Sequence, residues 1–301
     1  MDIAITGSTG LIGEALRTSL LADGHRVVRV VRRPPRGPDE IRWEPDAGQL
    51  DAAALSGLDA VVHLAGEGIA ERRWTDAQKA RIESSRTVGT DLLARRVAEA
   101  DDGPSVLVSG SAIGFYGDRG DEVLREGSAA GTGFLADVCQ RWEAAADPAR
   151  DAGVRVAHVR TGIVLDAHGG VLAKQLPLFK LGLGGRIGSG RQYMSWIALD
   201  DEVAAIRFLL DHDMAGPVNL TAPTPVTNRE FAEALGAALH RPTVVPVPGF
   251  GPKVLFGGEL VDELLLAGQR VLPERLTDAG FEFSQPELLP ALRALLDRPD
   301  A

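Results

Sequence analysis

The feature that most constrains the fold is the amino-terminal run DIAITGSTGLIG, residues 2–13. A short apolar stretch over 2–6 is followed by three glycines, and then by leucines and alanines at helical spacing up to about residue 22. A second, β-branched stretch covers residues 25–31. Strand, glycine turn, helix and strand in this order form half of a dinucleotide-binding unit.

The glycines of this turn are Gly7, Gly10 and Gly13, a GxxGxxG spacing rather than GxGxxG. Gly7 permits a tight turn, Gly10 lets the backbone approach a pyrophosphate, and Gly13 lets the helix pack closely on the strand. Amides at the helix N-terminus then face the anion. The alternative is a glycine turn without a ligand, which the position between a strand and a helix disfavours.

The end of the second strand predicts which nicotinamide cofactor is preferred. A site for NAD usually has an acidic residue there, which accepts from the ribose 2′-hydroxyl. This chain has Arg32 and Arg33 instead, with Arg29 and Arg36 nearby and no carboxylate before Asp39. Guanidinium groups suit a 2′-phosphate, so we expect NADP(H). The alternative is a solvated basic loop.

The rest of the chain continues the alternation of strands and helices. Strands are predicted over 59–66, 105–112 and 154–160, and helices over about 76–100 and 133–143. This order predicts an α/β, Rossmann-type, doubly wound parallel sheet, in which ligands bind at the carboxyl ends of the strands. We expect a smaller substrate-side domain at the C-terminus.

Composition limits the partners and the compartment. The formal net charge is −10, which repels phosphate backbones, so nucleic acid is not expected. A single cysteine excludes an intrachain disulfide and fits a reducing compartment. We expect no signal peptide, and the apolar runs of the sequence are too short to span a bilayer. We therefore expect a cytoplasmic protein that binds a small molecule and no membrane, and a homo-oligomer stays open.

Six stretches together resemble the extended short-chain dehydrogenase/reductase superfamily. They also resemble its subgroup of nucleotide-sugar epimerase-like, NAD(P)-dependent proteins that carry a DUF1731 C-terminus, and the resemblance covers nearly the whole chain. The stretches are TGSTGLIG, HLAGEGIAERRWT (63–75), VSGSAIGFYGD (108–118), FLADVCQRWE (134–143), MSWIALDDEVAA (194–205) and LLLAGQRVLPERLTDAGFEF (264–283).

The resemblance implies a division of the chain into two parts. An NADP-binding Rossmann domain would cover residues 1–165, and residues 194–221 would return to it. A substrate-side region would cover 166–301 and include a DUF1731-like domain over 247–296.

The Tyr-x-x-x-Lys dyad, which in this superfamily transfers the substrate proton, is missing. The chain has only two tyrosines, Tyr116 and Tyr193, and the residues four positions later are Gly120 and Ile197. Without a neighbouring cation a phenol titrates near its ordinary pKa of about 10. Catalysis by the usual dyad is therefore excluded.

Residues 133–143 are predicted to be the helix that carries the dyad in relatives. Aligning Glu143 with the glutamate that often follows the dyad puts Leu135 and Cys139 in its two slots. Both lie on an apolar stripe with Val138 and Trp142. This pattern predicts that the helix packs against the core and that Cys139 is a small buried apolar side chain.

Other side chains are candidates for the chemistry. The resemblance places Ser111 where the family's serine orients a carbonyl or hydroxyl, although a strand-end serine can also bond to backbone. Tyr116 could replace the missing tyrosine or form a wall of the substrate site. Glu67 could act as an acid or base, or bond a ribose or helix terminus. Arg160 could bind an anion or form a plain ion pair.

The remaining candidates follow from strand ends and one loop. The loop candidates for a phosphorylated or sugar-like substrate are Arg186, Arg191, Gln192 and Trp196, with an exposed hairpin as the alternative. The predicted cofactor contacts are Gly7, Ser8, Thr9, Gly10, Leu11, Ile12, Gly13, Arg32, Arg33, Leu64, Ala65, Gly66, Ser109, Gly110, Arg160, Thr161 and Gly162. The six histidines show no metal-ligand spacing, so no metal is predicted.

Two functions remain. The first is an NADP(H)-dependent oxidoreductase or epimerase acting on a small sugar-like or nucleotide-sugar carbonyl or carbinol, with Ser111 polarising the oxygen and Tyr116 or Glu67 passing the proton. The second is a non-catalytic NADP(H)-binding redox sensor or interaction protein, which the missing dyad favours.

Overall fold

The computed structural model describes residues 1–244, 246–248, 252–254 and 257–297. Its strands are β1 (Asp2–Thr6), β2 (Arg26–Val31), β3 (Glu40–Glu44), β4 (Gln49–Leu50), β5 (Ala60–His63), β6 (Val106–Ala112), β7 (Val123–Leu124), β8 (Arg155–Thr161), β9 (Ile163–Leu165), β10 (Tyr193–Met194), β11 (Trp196–Ala198), β12 (Gly216–Leu220), β13 (Val226–Thr227) and β14 (Arg270–Val271).

The helices in the described ranges alternate with these strands in the first half of the chain. They are α1 (Leu11–Ala22), α2 (Asp76–Glu99), α3 (Phe134–Ala144), α4 (Asp147–Asp151), α5 (Gly170–Lys180), α6 (Leu199–Asp211), α7 (Asn228–Leu239), α8 (Gly258–Val261), α9 (Glu274–Asp278) and α10 (Leu288–Leu296). A 3₁₀ turn covers Ile113–Tyr116, and a π-helical turn covers Asp262–Leu266.

The central sheet has eight strands in the order β12-β8-β6-β5-β1-β2-β3-β4. Every neighbouring pair is parallel except β3 and β4. The strand order reverses between β1 and β5, so the loops after these two strands diverge and leave a crevice at their carboxyl ends. The predicted Rossmann-type doubly wound fold is confirmed.

Two apolar layers cover the faces of this sheet because its strands are rich in buried valine and isoleucine. Ile3 and Ile5 face one layer, which α1 and α6 complete, and Ala4 faces the other layer, beneath α2. Burial on both faces explains why these strands read as continuous apolar runs in the sequence.

The segment that follows β2 leads into a strand that the sequence analysis does not predict. Residue 40 begins β3, which pairs in parallel with β2. This pairing places the Glu40 carboxylate beside the arginines that follow β2.

The C-terminal part has an apolar core of its own, built around Trp196, Phe231 and Leu292. It is joined to the sheet domain by polar contacts: the Asp201 carboxylate accepts from the amides of Ser284 and Gln285. The predicted domain limits stay predictions, and residues 249–251, near the predicted start of the DUF1731-like domain, lie outside the described residues. Over the described ranges, no helix is long and apolar enough to cross a membrane.

Candidate functional site

The glycine turn after β1 has the shape that its sequence predicts. Gly7 has φ +65°, and a Cβ on it would lie 2.7 Å from the carbonyl carbon of Leu64. A Cβ on Gly13 would lie 2.3 Å from the carbonyl oxygen of Gly7. Both glycines are therefore required by backbone packing alone.

Gly10 is different, because the nearest heavy atom to a Cβ there would be 3.4 Å away and its φ is −80°. It is exposed and is the N-cap of α1, and no side chain caps this helix. The first amides of α1 thus lack the partner that a serine or aspartate cap provides. An open position in front of a free helix N-terminus fits a pyrophosphate.

Thr6 joins the ends of the two strands that border the crevice. Its Oγ1 accepts from the amides of Leu64 and Ala65, each at 3.1 Å. It also lies 2.7 Å from Nδ1 of His63, whose pKa burial lowers to about 4. This neutral, buried network fixes the loop after β5 beside the glycine turn.

The other members of the turn divide into exposed and packed residues. Thr9 is exposed, whereas Leu11 and Ile12 are half-buried against the sheet's apolar layer. Ser8 is buried, and its Oγ accepts from Nε of Arg29 at 3.1 Å. This bond ties the turn to β2.

The two arginines after β2 have different surroundings. Arg33 forms a two-bond ion pair with Glu40, and the hydrogen bond from Arg33 lowers the pKa of Glu40 to about 2. Arg32 is exposed and has neither an ion pair nor a hydrogen bond to any described residue. Of the two, Arg32 is the guanidinium that is free to meet a phosphate.

Glu67, a candidate acid or base, is held mainly through its backbone. Its amide donates to Oγ of Ser85, and its carbonyl accepts from Nη1 of Arg86 at 3.0 Å. Its carboxylate receives a 3.4 Å bond from the Gln78 amide. A Cβ on the preceding Gly66 would lie 3.3 Å from Cζ of Arg86, so the guanidinium packs against the backbone of the loop after β5.

Ser111 lies at the carboxyl end of β6 and donates to Oε1 of Glu143 at 2.7 Å. Arg160, at the end of β8, donates to both oxygens of the same carboxylate, with Nε–Oε1 at 2.7 Å and Nη2–Oε2 at 2.8 Å. Because these two donors bond to Glu143, Arg160 is a buried ion-pair partner in this structure.

The Tyr116 ring is fully buried. Its hydroxyl donates to Oδ1 of Asn219 at 2.7 Å and accepts from Nη1 of Arg160 at 3.0 Å. Burial raises the pKa of the phenol. In this structure the hydroxyl of Tyr116 is therefore bonded within the protein, and both roles considered from the sequence stay predictions.

The helix that carries the dyad in relatives packs as its apolar stripe predicts. Leu135, Val138, Cys139 and Trp142 are buried on α3. Burial raises the pKa of the Cys139 thiol to about 12, so the thiolate is not formed near neutral pH.

Four predicted cofactor contacts at strand ends are packed into the protein. Ser109 is fully buried. A Cβ on Gly110 would lie 2.7 Å from the ring of Trp142, and one on Gly162 would lie 2.6 Å from the Ser195 carbonyl oxygen. The Thr161 hydroxyl donates to Oε1 of Glu202 at 2.7 Å. The contacts of these four residues in this structure are therefore internal.

The loop residues predicted to contact substrate also differ from one another. Trp196 is fully buried in the C-terminal core, and Gln192 donates to the carbonyls of Ile187 and Leu265. Arg186 donates to the Gly188 carbonyl. Only Arg191 among the four has an exposed side chain. Arg191 is thus exposed and Arg186 half-buried, and all four substrate contacts stay predictions.

No group of three or more histidine, cysteine, aspartate or glutamate side chains within the described ranges could hold a metal ion.

Comparison with known proteins assigns the chain to a family. Its residues 3–136 match the model of the NAD-dependent epimerase/dehydratase family, and residues 247–295 match DUF1731, a domain of unknown function. An epimerase family protein of Mycobacterium bovis is 48% identical over 298 residues, which are 99% of this chain and 98% of that protein. The chain belongs to the NAD-dependent epimerase/dehydratase family.

Two solved structures of similar proteins cover the chain almost completely. The crystal structure of human epimerase family protein SDR39U1 with NADPH has 36% identity and a TM-score of 0.91, covering 99% of this chain and 100% of that one. A nucleoside-diphosphate sugar epimerase from Corynebacterium glutamicum has 38% identity and a TM-score of 0.79, covering 98% of this chain and 58% of that one.

Three side chains near the predicted site have no candidate role in the sequence analysis. Glu143 appears there only as an alignment reference, although its spacing of four residues from Cys139 indicates that both lie on the same face of the helix. Glu40 and Arg86 gave no local signal, because their roles depend on which strands and helices become neighbours.

Proposed function

We propose that this chain is an NADP(H)-dependent oxidoreductase or epimerase of the short-chain type. The observation that carries the proposal is the glycine turn, in which Gly7 and Gly13 are fixed by packing while Gly10 leaves open space before the uncapped N-terminus of α1. The human relative crystallised with NADPH supports the same cofactor.

Preference for the phosphorylated cofactor is assigned to Arg32. The nearby Arg33 is neutralised by Glu40, so it contributes mainly to the shape of the loop. An exposed guanidinium without a carboxylate partner suits a 2′-phosphate through charge-assisted hydrogen bonds. The Glu40 carboxylate, in turn, is occupied by Arg33 and the Arg36 amide and is not free to bind a ribose hydroxyl.

The nicotinamide ring supplies the hydride acceptor or donor when it is bound. The proton of the substrate hydroxyl would be transferred at Ser111. Because Ser111 Oγ already donates to Glu143, its lone pairs can accept the proton of a substrate hydroxyl while its own proton passes to Oε1 of Glu143. The Arg160 fork holds this carboxylate in place.

The substrate class is a small sugar-like or nucleotide-sugar carbonyl or carbinol. Arg191 is the exposed cation of the loop that follows α5, and the Corynebacterium relative is named a nucleoside-diphosphate sugar epimerase. A guanidinium in this loop would pair with a phosphate group of such a substrate.

A non-catalytic NADP(H)-binding sensor is the second candidate. It is favoured by the full burial of Tyr116 and by the absence of any Tyr-x-x-x-Lys pair from the sequence. The same cofactor site would serve both functions, so the two differ only in turnover.

Turnover distinguishes the two candidates. NADPH absorbance is followed with a panel of carbonyl compounds and nucleotide sugars, using the wild type, Ser111→Ala and the control Ser84→Ala, which changes an exposed serine of α2. The oxidoreductase predicts turnover that Ser111→Ala lowers by roughly 10²-fold or more while Ser84→Ala leaves it unchanged. Tight NADPH binding with no turnover across the panel would support the sensor, and equal rates in all three proteins would contradict the role of Ser111.

A cytoplasmic location, a small-molecule partner and self-association belong to the same proposal. Cell fractionation and sedimentation of the purified protein test the first and the last of these.

A further inference from the structure

Arg86 is a half-buried cation that the proposed function does not use. It lies on α2, and its Nη1 donates to the carbonyls of Glu67 and Ile82 at 3.0 and 3.1 Å. Its Nε and Nη2 make no hydrogen bond to any described residue, and none of the described carboxylates lies within ion-pair distance. Burial lowers the pKa of Arg86, which indicates that neighbouring groups do not fully offset the cost of burying its charge.

The position of this guanidinium is fixed by packing. It lies 5.0 Å from the ring centroid of Trp142, which itself is held by a 3.0 Å bond to Thr90. Its Cζ is 3.3 Å from where a Cβ on Gly66 would lie, so this exposed glycine makes room for it in the loop after β5. A rigid cation with spare donors therefore borders the crevice.

The crevice has two ends, and Arg86 lies at the end away from Arg32. Arg32 follows β2, on one side of β1, and Gly66 follows β5, on the other side. If the pyrophosphate is held at the N-terminus of α1 and the adenosine 2′-phosphate at Arg32, the other half of the dinucleotide lies over the ends of β5 and β6.

We propose that Arg86 binds the ribose hydroxyls of the nicotinamide half of NADP(H) through its spare donors. This inference rests on the proposed function. Hydroxyl oxygens are neutral acceptors for the N–H groups of a guanidinium, which suits a cation that forms no ion pair with a described carboxylate.

The test compares a whole cofactor with its adenosine half. Calorimetry measures binding of NADPH and of adenosine 2′,5′-bisphosphate, which lacks the nicotinamide ribose, to the wild type, Arg86→Met, Arg86→Lys and Arg95→Met. Arg95 is the matched control, because it is an exposed arginine on the same helix. Thermal unfolding of each variant checks the fold.

We expect Arg86→Met to weaken NADPH binding about tenfold or more, the effect of losing a charged hydrogen bond, and to leave the bisphosphate unchanged. Arg86→Lys should recover part of the affinity, and Arg95→Met should bind both ligands like the wild type. Unchanged NADPH affinity in Arg86→Met, or an equal loss for both ligands, would overturn the assignment. A wild type that binds neither ligand would instead contradict the proposed function.

Discussion

Replacing Gly13 or Gly10 of the turn by alanine should have different effects on the free energy of unfolding and on the affinity for NADPH. Gly13→Ala puts a Cβ 2.3 Å from the Gly7 carbonyl oxygen, and only a backbone shift can relieve this contact. Such overpacking typically lowers the free energy of unfolding by about 1–3 kcal/mol. We expect a lower unfolding midpoint for this variant, measured in denaturant.

Gly10→Ala should behave in the opposite way. Its Cβ meets nothing closer than 3.4 Å, and its φ of −80° suits alanine. Alanine at an N-cap is less favourable than glycine, but it also reduces the entropy of the unfolded chain by about 0.4–1 kcal/mol, so the two effects nearly cancel.

The added methyl group, however, occupies the space before the α1 amides. Loss of one charged hydrogen bond, worth about 1.5–3 kcal/mol, weakens NADPH binding more than about tenfold. Calorimetry and denaturant unfolding on both variants measure the two effects. A stable Gly10→Ala protein that binds NADPH like the wild type would refute the assignment of this space to the pyrophosphate.

Three further predictions concern buried groups. Burial raises the pKa of Glu202 from 4.5 to about 8, so the folded state keeps a proton that the unfolded state loses, and stability falls as the pH rises between these values. Glu202→Gln should remove this decline, which amounts to at most roughly 5 kcal/mol, in urea titrations at about pH 4 and about pH 9. Glu143→Leu should lower the free energy of unfolding by about 3–5 kcal/mol because Arg160 is left buried and unpaired, and adding Arg160→Met should restore much of it. The Cys139 thiol, with a pKa of about 12, should react with a thiol reagent only after unfolding.

Each of these has a clear contrary result. A decline with pH that persists in Glu202→Gln would place the titration elsewhere. A double variant no more stable than Glu143→Leu would show that the ion pair is not the source of the loss. Rapid labelling of the folded protein would contradict the burial of Cys139.

Most helices and strands of the sheet domain could be predicted because their signals are local. The predicted strand at 105–112 differs from β6 by one residue at its start, and the predicted helix at 133–143 differs from α3 by one residue at each end. Apolar periodicity and glycine spacing depend on neighbouring residues only, and they also fixed the cofactor turn at Gly7 and Gly13.

The chemistry of the site could not be predicted to the same depth, because it depends on long-range neighbours. Arg33 and Arg32 are adjacent and look equivalent in sequence, but β3 brings Glu40 to only one of them. Tyr116 and Trp196 are large polar aromatics in loop-like segments, and tertiary packing buries both completely. Burial of this kind leaves no mark in a single sequence.

Equilibrium titration of the wild type with NADPH and with NADH tests whether Arg32 selects the phosphorylated cofactor. We expect NADPH to bind with an affinity at least about tenfold above that of NADH, since one charged contact to the 2′-phosphate is worth about 1.5–3 kcal/mol. We expect Arg32→Ala to remove most of this difference and to leave NADH binding unchanged. Absence of NADPH binding by the folded protein, or equal affinity for the two cofactors, would contradict this assignment.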